Sequence, residues 1–166
     1  MQVQTLKGFF LGICVGGAGF LAFTSQFLPE MVASHFGAGG RVNGYMSRSA
    51  YLWMMTILIV GVPSIMLLAF SWLPRRVPQL TNIPNRAYWL APERRDQLYE
   101  KLDKAGLFMA SCVVIFMTAM HWLIFEANEA HPAQLGGQDF FAVLGAFVTV
   151  TVGFAIWMSL QFRKRT

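Results

Sequence analysis

Four stretches of the chain carry no Asp, Glu, Lys or Arg and show no polar face: residues 8–28, 50–73, 106–125 and 140–162, which are 21, 24, 20 and 23 residues long. About 20 apolar residues are needed for a helix to cross the hydrocarbon core of a bilayer. A helix of a soluble bundle alternates an apolar stripe with a charged face, and these runs do not. The pattern predicts an all-α polytopic membrane protein, a single four-helix transmembrane domain filling residues 1–166. The first run exceeds the 7–15 apolar residues of a cleaved leader and is read as a retained span.

Between the spans the polar positions collect in three places. Residues 74–105 form the longest loop, and the two others are shorter. Of the 13 basic residues, 11 fall in the N-terminal segment (Lys7), the middle loop and the tail; only Arg41 and Arg48 lie on the opposite side. Basic loops stay cytoplasmic, so both termini and the long loop are expected inside, with short loops outside. The formal net charge of +5 is then a topology feature and a lipid-headgroup contact rather than a sign of nucleic-acid binding. Composition agrees: 55% of residues are hydrophobic and 13% charged, against about 25% charged in an ordinary soluble domain. The expected surroundings are a lipid bilayer, with a membrane-protein partner or an outer-face peptide.

Within the spans, Gly8, Gly12 and Gly16 recur every four residues, and Gly145 and Gly153 flank Thr149 at the same spacing. Small residues four apart let helix backbones approach closely in lipid, so these faces are expected to pack tightly, against each other or against a partner. Pro63 follows Gly61 midway along the second span and removes a backbone donor, which predicts a kink. Cys14 and Cys112, too few for a disulfide framework, are expected as free thiols at one depth.

The long loop contains Asn82-Ile83-Pro84-Asn85, then Tyr88-Trp89-Leu90-Ala91-Pro92-Glu93-Arg94. A helix is expected from about Pro92 into the third span, since Pro suits a first turn and Glu93 and Asp96 favour its positive end. Leu98 and Leu102 share one side of it, and Glu100 with Lys104 makes a pair four apart. Tyr88 and Trp89 suit the headgroup boundary.

The first outer loop is rich in Gly37, Gly39 and Gly40, and Asn43-Gly44 reads as a tight turn, because both residues tolerate positive φ. His35, Arg41, Asn43, Tyr45 and Arg48 lie in it; His121, Glu126 and Asn128 lie at or near the outer end of the third span, and His131 follows. The second outer loop carries Glu126, Glu129 and Asp139 without a basic residue, so the two loops are expected to dock by opposite charge. His121, inside a span, is expected to face inward and be hydrogen-bonded. No histidine pair has metal-ligand spacing on one element, and no nucleophile elbow, phosphate loop or haem-attachment motif occurs. The reading is therefore a non-enzymatic protein without cofactor or metal.

The pattern Leu28-Pro29, His35-Phe36, Gly40, Asn43-Gly44-Tyr45 and Ser47-Arg48 resembles a bacterial membrane family of unknown function, whose domain also forms the N-terminal part of SdpI-type toxin immunity proteins. The motif that includes Asn82, Pro84, Asn85, Tyr88, Trp89, Pro92 and Arg94 is similar to a second motif of its small stand-alone members. His121, Asn128 and Pro132 resemble a third. The resemblance covers roughly residues 20–132. It implies the bacterial cytoplasmic membrane, a multi-pass fold, and a partner- or peptide-binding role at the outer face centred on His35, Arg41, Asn43, Tyr45, Arg48, His121, Glu126 and Asn128. The alternative reading is an accessory subunit of a larger membrane complex.

Overall fold

In the computed structural model, residues 2–163 are described; Lys164 and Arg165 of the basic tail lie outside them. Helix α1 is Val3–Thr24. A two-stranded antiparallel hairpin follows, β1 Met31–Phe36 and β2 Val42–Ser47. Helix α2 runs Arg48–Arg76, the short α3 is Arg86–Trp89, α4 is Arg95–Glu129 and α5 is Gly137–Phe162. Helices α1, α2, α4 and α5 are each long and apolar enough to cross a membrane. The expectation of an all-α chain needs one correction. The chain is mostly helical, but the loop between its first two long helices folds as a β-hairpin.

Helix α4 is the central post. Its 35 residues extend roughly 52 Å at 1.5 Å per residue, well beyond the ~30 Å of a hydrocarbon core. It packs against α1, α2 and α5, and half of its apolar window is buried. The principal core joins Cys14 and Leu21 of α1, Tyr51, Met55 and Ile59 of α2, and Val114 and Ile124 of α4. Where helices approach, the glycines are not the expected ones. A Cβ on Gly17 would lie 2.8 Å from Thr118 Oγ1, and one on Gly106 would lie 2.6 Å from Phe70 Cβ. Gly8, Gly12, Gly16, Gly145 and Gly153 have open space where a Cβ would be. Their spacing put them on shared faces, but no neighbouring helix is packed tightly against those faces. Gly17 packs instead because it lies on the side of α1 that carries Cys14 and Leu21.

The kink in α2 takes a specific form. Residues Ile57–Gly61 and Leu68–Trp72 are π-helical turns, and a proline, Pro63 or Pro74, follows two residues after each. A wider turn takes up the proline's missing donor and the crowding of its ring.

Helix α5 is held more lightly. None of its apolar window is buried; stacked pairs Phe116–Phe147 (4.2 Å between centroids) and Phe108–Phe154 (5.6 Å) join it to α4. Its C-terminal end is fixed by the long loop. Asn85 Nδ2 and Trp89 Nε1 both donate to the Phe162 carbonyl at 3.1 Å, satisfying an orphan helix-end acceptor. Trp89 packs edge-on to Phe162 among Leu98 and Leu102, and Lys101 donates to Gln161. Asn85 holds φ +54°, a left-handed conformation that Asn tolerates. The Trp89 ring is buried as a clasp on α5. Tyr88 stays partly exposed beneath the Arg94 guanidinium, 4.1 Å from its ring centre. Asn82, Pro84 and Pro92 are exposed, and α4 begins at Arg95 rather than at Pro92.

Candidate functional site at the hairpin end

At the hairpin end of the bundle, three side chains from three helices form one buried hydrogen-bonded chain. His121 of α4 is completely buried. Its Nδ1 lies 2.7 Å from the Tyr51 hydroxyl in the first turns of α2, and its Nε2 lies 2.6 Å from Thr24 Oγ1 at the end of α1. Thr24 also donates to the Phe20 carbonyl at 2.7 Å. A hydroxyl has one proton. With it on Phe20, Nε2 donates to Thr24 and Nδ1 accepts from Tyr51, which assigns a neutral imidazole with its proton on Nε2. Phe20 closes the pocket edge-on, 5.8 Å from the imidazole. All these polar groups are satisfied in a place where an unpaired one is costly.

Two turns further out, Asn128 on the same face of α4 ties down the hairpin. Its Oδ1 accepts from the Ala33 amide at 2.8 Å, and its Nδ2 donates to the Ala33 carbonyl at 3.0 Å. The side-chain amide thus stands where a neighbouring strand would be, on the edge of β1 away from β2. Val32 and Ala33 are buried beneath it.

The hairpin closes differently from its sequence pattern. Asn43-Gly44 lies inside β2, paired opposite β1, and the chain reverses at Gly37, whose amide donates to the Arg41 carbonyl at 2.8 Å. Gly39 and Gly40 have φ +74° and +73°, open to glycine and strained for other residues. The hairpin and the loop between α4 and α5 do dock, but through the backbone: the Leu135 amide donates to the Gly40 carbonyl at 3.0 Å, and Arg41 bridges to Gln134. The expected pairing of opposite charges is not what joins them. Among the described residues the ion pairs are Arg75–Asp103 and Glu100–Lys104, both in the long-loop region, and Arg48 donates to the Gln26 carbonyl.

Hairpin, loop and helix ends enclose a cavity of about 690 Å³, lined by Ser34, His35, Phe36, Gln134, Met120, Ile124, Phe140 and Phe141 together with the glycine turn. His35 is exposed there, its Nδ1 3.0 Å from Ser34 Oγ. Such a lining, mostly apolar with a few polar groups, is typical of ligand pockets.

The eight expected outer-face residues therefore separate. His121 and Asn128 build the support, and His35 lines the cavity. Arg41, Asn43, Tyr45 and Glu126 are exposed and do not converge on His121. Thr24, Tyr51 and Gln134 complete the site and were not singled out from the sequence. The available clue was depth: Thr24, Tyr51 and His121 are polar residues near the outer ends of three different spans. The three histidines do not assemble. Among the described residues no three His, Cys, Asp or Glu side chains come together as metal ligands.

These features define the class: a multi-pass membrane protein by the length and composition of its helices, with a β-hairpin pinned across one end of the bundle. Residues 12–60 match a family described as a domain of unknown function, DUF1648. That segment runs from α1 through the hairpin to the first π-helical turn of α2. Neither the curated proteins nor the solved structures provide a match.

Proposed function

We propose that this chain is a non-enzymatic protein of the bacterial cytoplasmic membrane whose outer face binds a peptide or protein partner, in the manner of SdpI-type immunity proteins. The observation that carries the reading is the cavity of about 690 Å³ beneath the hairpin. It sits on a rigid mount, since Asn128 and the buried His121 group fix the elements around it. It offers an aromatic and aliphatic floor for an apolar side chain, with His35 and Gln134 for polar contacts. Both termini and the long loop face the cytoplasm in this reading, as the basic residues favour.

A single cysteine at the exposed Ala38, in a chain with Cys14 and Cys112 replaced, tests the placement. Modification in intact cells by a membrane-impermeant maleimide is expected; modification only after lysis contradicts it. In the same background, Phe36→Trp fills the cavity and is expected to abolish protection against a secreted peptide toxin, or retention of the outer-face partner, while the protein still accumulates.

A second reading, an accessory subunit, draws on α5. Its apolar window is unburied, and the Gly145, Thr149 and Gly153 face is open, as is the Gly12 and Gly16 face of α1. Stoichiometric co-purification of another membrane chain, lost on Gly145→Leu with Gly153→Leu, is the result that favours it.

A further inference from the structure

At the opposite end of the bundle lies a second cavity, of about 300 Å³, framed by Phe70 and Leu73 of α2, Leu80 and Ile83 of the long loop, and Phe154 and Met158 of α5. Three observations bear on what fills it. Its wall is aliphatic and aromatic, and it lies between the ends of helices long and apolar enough to span a bilayer. An apolar hollow is a poor place for water, which needs two to four polar partners. Two wall residues are polar, Asn82 and Thr81. Thr81 is 6% exposed, and its hydroxyl has no hydrogen-bond partner among the described residues, an arrangement that costs about one hydrogen bond unless an acceptor or donor is supplied. Finally, the loop segment that provides Pro74 and Leu80–Ile83 to the wall is basic. Residues 74–92 carry Arg75, Arg76 and Arg86 and no Asp or Glu. Arg75 is engaged by Asp103 at 2.8 Å, whereas Arg76 and Arg86 are exposed and bonded to no carboxylate among the described residues.

We propose that this cavity holds an acyl chain of one anionic phospholipid, with its headgroup on the segment that carries Arg76 and Arg86 and its glycerol-ester region beside Thr81. The apolar wall selects a hydrocarbon chain, the unpaired hydroxyl matches an ester carbonyl as acceptor, and the acid-free basic segment selects a negative headgroup over a neutral one. Headgroup attraction of this kind amounts to roughly a fivefold preference per basic residue at an anionic surface. The lipid also completes the packing of α5, which otherwise leans on aromatic stacks and the Asn85–Trp89 clasp. This inference does not depend on the outer-face reading, since it concerns other residues at the other end of the molecule.

Native mass spectrometry of the intact chain tests it, after reconstitution in nanodiscs with equal phosphatidylglycerol and phosphatidylethanolamine. The wild type is expected to carry one phosphatidylglycerol in preference to phosphatidylethanolamine. Arg76→Gln with Arg86→Gln should reduce that preference by an order of magnitude or more while one lipid is still bound. Met158→Trp, which fills the cavity, should lose the bound lipid of either kind. Thermal unfolding reports whether each variant is folded; if Met158→Trp is not, Thr81→Val takes its place, with weaker retention of the lipid expected. Equal retention of the two lipids by the wild type, or full retention by the folded cavity variant, overturns the proposal.

Discussion

At the level of single residues, His121 shows how a polar group is accommodated in a span. Its two ring nitrogens are both used, one by Tyr51 and one by Thr24, so the three side chains act as one unit. Its inward, hydrogen-bonded placement follows from the cost of an ionisable group in hydrocarbon. Its partners were harder to read, because a threonine near a helix end usually bonds back to its own helix, and Thr24 does that as well. Replacing His121 with Phe leaves the Tyr51 hydroxyl without its partner, while Thr24 keeps its bond to the Phe20 carbonyl, and is expected to cost about 1–3 kcal/mol. Thr24→Val is expected to cost about 1 kcal/mol. The double variant should be no less stable than His121→Phe alone, since the pair is one interaction; chemical unfolding in detergent measures all three, and simple additivity contradicts a shared network. Glycines divide just as sharply. A Cβ on Gly40 would collide with the Leu135 carbonyl oxygen, on a residue with φ +73°. Gly40→Ala is therefore expected to lower the unfolding temperature strongly, while Gly12→Ala, facing open space, should leave it unchanged or raise it slightly.

At the level of elements, the four spans were legible because the bilayer sets one length and excludes charge over it. Their limits were less so. The third apolar run starts at residue 106, but the helix was expected from about Pro92 and starts at Arg95; the apolar run alone misplaces it, because Leu98 and Leu102 bury against Trp89 and Phe162 and carry the helix out of the apolar stretch. The β-hairpin was missed as strands because its edge is finished by a side chain 95 positions away, Asn128 on Ala33. No local pattern reports such a partner. Its turn was misplaced for a related reason: Asn43-Gly44 is a favourable turn pair, but docking of Gly40 on Leu135 sets the reversal earlier in the chain, between Gly37 and Arg41. The long-loop motif was recognisable as a motif, and its job is now clear in physical terms. Asn85 and Trp89 share the Phe162 carbonyl. Trp89→Phe keeps the ring and loses one donor, with an expected cost of about 1 kcal/mol; Trp89→Ala also removes the packing and should cost about 3 kcal/mol or more. Proteolysis at Arg86 and Arg163 should accelerate in the same order, and equal rates in both variants would show that the clasp does not hold α5.

At the level of the whole molecule, the two ends of the bundle are built differently. One end carries the hairpin, the buried histidine group and the larger cavity; the other carries the basic loop, the clasp and the smaller cavity. Between them α4 is the common support, and α5 is the element with most of its surface free. That asymmetry separates a protein that receives a ligand at its hairpin end from one that is a lateral subunit in a complex. Photo-crosslinking in intact cells distinguishes the two most directly, with a photoreactive amino acid placed at Phe36 in one variant and at Gly145 in the other. Outer-face binding predicts a discrete crosslinked peptide or protein from Phe36, lost when Phe141→Trp narrows the cavity, and only lipid adducts from Gly145. A discrete protein adduct from Gly145 with none from Phe36 contradicts that account and makes the chain a lateral subunit.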